Sequence, residues 1–158
     1  GIKLKPLMFG GGQESGLRPG TENLPAIVGL TEALELAKKN REKESVRLTI
    51  LRDFFIAQIE KEIPKVILNG SRIERLPNNI NFSFPGTEAE FLALQLDAAG
   101  IAVATKSACL KNERESYVVK ALSGDFHRAI SSIRFSLGRD TKRGDLEYTV
   151  KVLSNITK

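Results

Sequence analysis

The chain has 158 residues, 41% of them hydrophobic and 27% charged, the makeup of a globular domain long enough to bury a core. Its 24 Lys and Arg against 19 Asp and Glu leave a net charge of +5, but the densest charge, KKNREKESVR at residues 38–47, mixes both signs and reads as a solvated helical face, which argues against a nucleic-acid partner. No run approaches the roughly 18 apolar residues that span a bilayer, and GIKLKPLMFGGG at the start lacks the apolar stretch of a secretory signal, so the expectation is a cytoplasmic protein without a membrane partner.

In chain order, residues 2–9 alternate loosely and predict a strand. GGGQESGLRPGTEN follows, with five glycines and a proline in 14 residues, and predicts no packed element. Helix is expected from Leu24: Asn23 suits the cap, Pro25 the first turn, and Ile27, Leu30 and Leu34 recur at helical spacing. Leu51, Phe55, Ile59 and Ile63 mark a second helical run that Pro64 stops, either separate from the first or one long broken helix with it. VILNG at 66–70 reads as a short strand ending in an Asn-Gly turn. NINFSF sets Ile80, Phe82 and Phe84 against Asn79, Asn81 and Ser83, the alternation of a strand covered on one side. A capping box of Thr87 and Glu90 opens a helix through Phe91, Leu92 and Leu96 that Gly100 ends. IAVA at 101–104 predicts a buried strand, and Ser116 caps a short helix, YVVKAL. SSIRFSL alternates again, with Ile133, Phe135 and Leu137 opposite Ser132, Arg134 and Ser136. A last helix after Asp140 and Thr141 uses Leu146, Val150 and Leu153. The fold class is α/β (α+β), a small mixed or antiparallel sheet with helices mainly on one face.

Three places can carry chemistry. TKSACLKNERES at 105–116 holds the one cysteine, Cys109, which excludes an internal disulfide and a multi-cysteine metal site; no metal is expected. Free cysteines are often inert buried residues. Here the thiol follows a strand in a polar segment, with small neighbours and with Lys106, Lys111 and Arg114 to favour thiolate, while Glu113 and Glu115 oppose that shift. A cysteine acyl-transfer enzyme would pair it with a histidine, yet the one histidine, His127, reads as an exposed loop residue without an orienting partner. Arg134 is the second candidate, a guanidinium on the polar side of a strand, either ion-paired or poised to grip a carboxylate with two parallel bonds. The third is the glycine run, where Gly20 and Thr21 ahead of a helix offer an amide and a hydroxyl to a phosphate. A plain flexible turn explains that run nearly as well, with Arg18 paired to Glu14 or Glu22. It matches neither a Walker loop nor a dinucleotide fingerprint.

Taken in order, these stretches resemble the C-terminal part of the cysteine desulfurases, pyridoxal-phosphate enzymes of the class V aminotransferase family. GGGQESGLRPGTENLPAIVGLTEAL looks like that family's glycine-rich turn and following helix, SAC like its cysteine loop, and ESYVVKAL with SSIRFSLGRDT like the segments downstream. The likeness implies the small domain of a fold-type I pyridoxal-phosphate enzyme at 24–158, with a catalytic loop at 105–115, preceded at 1–23 by a glycine-rich segment from the end of a large domain. By the same resemblance Cys109 is the nucleophile that takes sulfur from L-cysteine, leaving L-alanine and a persulfide. Arg134 would bind the substrate carboxylate, and Gly20 and Thr21 the cofactor phosphate of the other subunit of a homodimer. A sulfur acceptor or iron-sulfur scaffold protein is the implied partner.

Lys106 stands where the family more often has a small residue, which bears on loop flexibility and on the thiol. The family's Schiff-base lysine, the histidine over the ring and the aspartate at the pyridine nitrogen would lie upstream of residue 1. The expectation is therefore a truncated or excised piece that is inactive alone. A selenocysteine lyase fragment, or a sulfur-relay or protein-interaction domain without catalysis, remain the alternatives.

Overall fold

The computed structural model describes residues 2–107 and 114–157. A short 3-10 turn at Gln13–Gly16 precedes α1 (Leu24–Glu62), β1 (Ile67–Leu68), β2 (Asn79–Ser83), α2 (Ala89–Ala98), α3 (Tyr117–Ser123), α4 (Phe126–Ile130), β3 (Ser132–Ser136) and α5 (Arg143–Ile156). The chain divides into two compact units, residues 1–42 and 43–158.

In the first unit residues 2–9 form no strand. Extended chain is held by a hydrogen-bonded neighbour, and the described residues of this unit supply none. α1 begins as expected, with Asn23 Oδ1 accepting the Ala26 amide at 3.2 Å. It is one helix rather than two, because neither glycine nor proline interrupts the chain between Gly29 and Pro64 and residues 38–47 are mostly good helix formers. Within this unit Leu24, Ile27, Val28, Leu30 and Leu34 of α1 are all exposed.

The second unit is built on an antiparallel sheet in the order β1-β2-β3. Pairing of Ile80 with Phe135 and of Phe82 with Ile133 sets four large apolar side chains on one face. Against them pack Phe55, Ile56, Ile59 and Ile63 of α1 and its C-terminal end, Leu92 and Leu96 of α2, and Leu146, Val150 and Leu153 of α5. The Phe55 and Phe135 rings meet edge to face with centroids 5.2 Å apart. Helices α1, α2 and α5 thus cover the apolar face, as the alternation of both strands requires. On the other side α4 lies against β2, and Ser83 Oγ donates to the Arg128 carbonyl at 2.8 Å.

Two local expectations give way to tertiary contacts. The Thr87–Glu90 box does not form: α2 starts after Glu88 without a side-chain cap, and the Glu90 carboxylate accepts from Lys106 Nζ at 2.6 Å instead. IAVA is not a strand but a single bridge from Ala104 to Arg134. The Ile101 amide closes the C-terminus of α2 on the Leu96 carbonyl at 2.9 Å and is lost to any ladder, while Gly100 supplies the positive φ of 76° that this closure needs. Ser116 does cap α3, accepting the Val119 amide at 3.4 Å. His127 lies on α4, which the sequence reading missed, rather than in a loop.

Arg47 fastens the segment after β3 to α1, donating to the carbonyls of Gly138, Arg139 and Thr141 at 3.1, 2.9 and 2.8 Å. Phe55 is 1% exposed; a Phe55→Ala substitution is expected to lower unfolding free energy by about 3–5 kcal/mol, read from urea melts followed by circular dichroism. A loss below about 1 kcal/mol would show that the Phe55–Phe135 contact is not central to the core.

Candidate functional site

The polar face of the sheet carries one continuous rung. The β1–β2 register continues to Asn69, whose amide donates to the Asn81 carbonyl at 2.8 Å. Asn81 pairs with Arg134 across β2 and β3. Arg134 in turn exchanges backbone bonds with Ala104, at 2.7 and 3.1 Å. Four separate parts of the chain therefore meet along one line, with alternate residues kept to the apolar side by the pleat.

A cavity of about 370 Å³ opens over this rung, walled by Asn69, Arg75, Asn81, Ser107, Ser116 and Arg134 among others. Val118, Val119 and Leu122 of α3 supply an apolar side. Arg134 is exposed to it, and among the described residues nothing accepts a bond from its guanidinium. Among the described residues it has no ion-pair partner.

The cavity wall is held from beneath by arginines. Arg52, 5% exposed, donates to the carbonyls of Arg75 and Leu76, both at 3.3 Å, and to Asp53 Oδ1 at 2.8 Å. A buried guanidinium needs such acceptors, and meeting that need fixes the turn that presents Arg75. Arg75 donates to the carbonyls of Ser71 at 2.6 Å and Asn69 at 2.8 Å. Burial first, then the positive charges of Arg52 and Arg72, holds Arg75 below the ordinary arginine value. Arg52 and Arg72 are themselves ion-paired, with Asp53 and Glu60, and Glu74 also lines the cavity.

The sequence candidates fall as follows. Arg134 and both flanks of the cysteine segment, Ser107 and Ser116, line the same cavity; Cys109 itself lies outside the described residues. Lys106 is engaged with Glu90. His127 is exposed on α4 and does not line the cavity. Gly20 and Thr21 belong to the first unit. There Arg18 donates to the carbonyls of Gly20 and Thr21, both at 3.3 Å, rather than to Glu14 or Glu22, and the Gly20 amide donates to Gln13 Oε1 at 3.2 Å. Gly20 has φ 97°, a conformation that a side chain would strain. The sequence reading missed Asn69, Asn81 and Arg75 as members of a site. Polar alternation in NINFSF marked the face that Asn81 occupies, whereas nothing local distinguished Asn69 from a turn residue.

The chain is 49% identical over 157 residues to a cysteine desulfurase IscS of Dictyoglomus turgidum, covering 99% of this chain and 40% of that protein. A cysteine desulfurase IscS of Clostridium botulinum is 44% identical over 161 residues, covering 100% of this chain and 41% of the relative. Among solved structures a NifS-like protein superposes with a TM-score of 0.83 at 29% identity, over 99% of this chain and 40% of the other. The chain thus spans about two-fifths of the length of these relatives. Residues 3–149 match the aminotransferase class-V model, and with a likeness of that extent this chain belongs to the class V aminotransferase family.

Proposed function

We propose that this chain is the C-terminal portion of a cytoplasmic cysteine desulfurase, its small domain at 24–158 preceded by the end of the large domain at 1–23. The observation that carries the proposal is the Arg134 guanidinium, without an acceptor among the described residues, in a cavity whose walls include both flanks of the Cys109 segment. A guanidinium with no internal acceptor, held on a strand, binds a carboxylate through two parallel charge-assisted bonds. In this reading Arg134 holds L-cysteine by its carboxylate and Cys109 thiolate attacks the substrate sulfur. A sulfur-sulfur bond forms as the carbon-sulfur bond breaks, leaving L-alanine once the carbon gains a proton and a persulfide on Cys109 for an acceptor or iron-sulfur scaffold protein.

Pyridoxal phosphate, when bound, supplies the electron sink for that cleavage. The residues here suit one edge of it: the Thr21 hydroxyl, with the Gly20 amide once released from Gln13, would hold its phosphate from the neighbouring subunit of a homodimer. The exposed apolar row Leu24, Ile27, Val28, Leu30 and Leu34 supports contact of this helix with further protein, since rows of that kind mark interfaces.

Incubated alone with pyridoxal phosphate and L-cysteine, the 158-residue chain is expected to release neither alanine nor sulfide. Measurable alanine by amino-acid analysis would overturn the expectation of inactivity.

A chimera in which this chain replaces the matching portion of the Dictyoglomus turgidum relative tests the site. Alanine formation is expected from it, with Cys109→Ser abolishing the persulfide seen by mass spectrometry. Arg134→Ala is expected to lower kcat/KM by about a hundredfold, the size of a lost charged bidentate contact. Persulfide retained in Cys109→Ser, or kcat/KM unchanged in Arg134→Ala, would refute the assignment of that residue.

A further inference from the structure

Beside Arg134 the rung holds a second group whose orientation is imposed by a chain of hydrogen bonds. Arg128, on α4, donates through Nε at 3.1 Å and Nη2 at 2.7 Å to Asn69 Oδ1. A guanidinium has only donors, so the Asn69 oxygen must face it and the Asn69 amide nitrogen must face the other way. That nitrogen donates to Asn81 Oδ1 at 2.7 Å and to Ser83 Oγ at 2.8 Å. The Ser83 hydroxyl gives its own proton to the Arg128 carbonyl and is left to accept from Asn69, which fixes the same orientation a second time. Asn69 is 5% exposed, and a buried amide in this position has no water with which to exchange partners.

The consequence falls on Asn81. Its oxygen is occupied by Asn69, so its two amide protons are the free end of the side chain. Among the described residues nothing accepts from them. Asn81 lines the cavity and is the direct cross-strand partner of Arg134, and facing side chains on paired strands lie within about 5.5 Å of each other at Cβ.

We infer that Asn81 is a second binding residue for the ligand carboxylate, its amide nitrogen donating beside the Arg134 guanidinium, with Asn69 and Arg128 as positioning residues that hold the Asn81 amide donor-outward. The pair forms a donor-only cleft. It accepts a free carboxylate and discriminates against the corresponding amide, whose NH2 group would face donors. This rests on the reading of Arg134 as a carboxylate-binding residue and adds to it the feature that fixes selectivity.

L-alanine, the product of the proposed reaction, is titrated into the 15N-labelled 158-residue chain, following the Arg134 Nε and Asn81 Nδ2 resonances. Both are expected to shift with one dissociation constant, and L-alaninamide is expected to move neither. Asn81→Asp keeps an acceptor for Asn69 and so preserves the buried network, but turns the outward group from donor to acceptor. It is expected to weaken L-alanine binding by tenfold or more, and Asn81→Ala by about fivefold. Asn69→Asp keeps an acceptor for Arg128 yet cannot donate to Asn81. It should reproduce the Asn81→Ala loss and add nothing when the two are combined. If Arg134 shifts while Asn81 does not, and Asn81→Asp binds as the unaltered chain does, the role of Asn81 is refuted and that of Arg134 stands. If neither resonance shifts, both fall.

Discussion

Pairing of β2 with β3 in a single register decides both halves of this molecule. The same residue-by-residue alignment that brings Ile80 onto Phe135 and Phe82 onto Ile133 also brings Asn81 onto Arg134. Side chains alternate along a strand, so a slip by one residue would move Arg134 toward Phe55 and the helices and expose the phenylalanines. An arginine in that core would have no acceptor, a cost of several kcal/mol or more. Core formation and the arrangement of the cavity are thus one event: the apolar contacts with α1, α2 and α5 select the register, and the register places the guanidinium.

Polar burial completes what the register begins. Asn69, Ser83, Ser131 and Ser132 are all buried, and each has partners: Ser131 Oγ donates to the His127 carbonyl at 2.8 Å and Ser132 Oγ to the Ala129 carbonyl at 3.1 Å. The Ser131 bond closes the end of α4, while the Ser132 bond and that from Ser83 to the Arg128 carbonyl tie this short helix to β3 and β2. Replacing any one of them with an apolar group would leave a buried partner unsatisfied, at about 1–3 kcal/mol, so a five-residue helix too short to stand alone is held by its surroundings. Arg52 does the same on the other flank, where its charge is neutralised by Asp53 and two carbonyls that belong to the turn bearing Arg75.

What could be read from sequence was whatever depends on near neighbours. The alternation in NINFSF and SSIRFSL survives intact because a pleat needs only period two, and Phe55, Ile59 and Ile63 are buried as their fourfold spacing requires. Asn23 and Ser116 cap their helices because the acceptor and the amide sit three residues apart. Misreadings arose where a distant partner competed. Lys106, 16 residues away, draws Glu90 out of its capping box, and the Ile101 amide closes a helix instead of joining a ladder. Of the residues lining the cavity, Arg134 was legible as a charge on the polar side of a strand, while Cys109, read from a motif, lies outside the described residues. Asn69 was not legible, because its importance comes from Arg128, 59 residues later.

The stretch carrying Cys109 is moored at two independent points. Ala104 is fixed by its exchange with Arg134, and Ser116 by its amide bond to the Ala129 carbonyl at 3.1 Å. Neither mooring draws on the residues between them. Closure entropy grows only with the logarithm of length, about 0.6 kcal/mol for each doubling, so insertions between these points leave the sheet essentially undisturbed. A change of length between Ala104 and Ser116 is therefore separable from the Asn81–Arg134 pairing that lines the cavity.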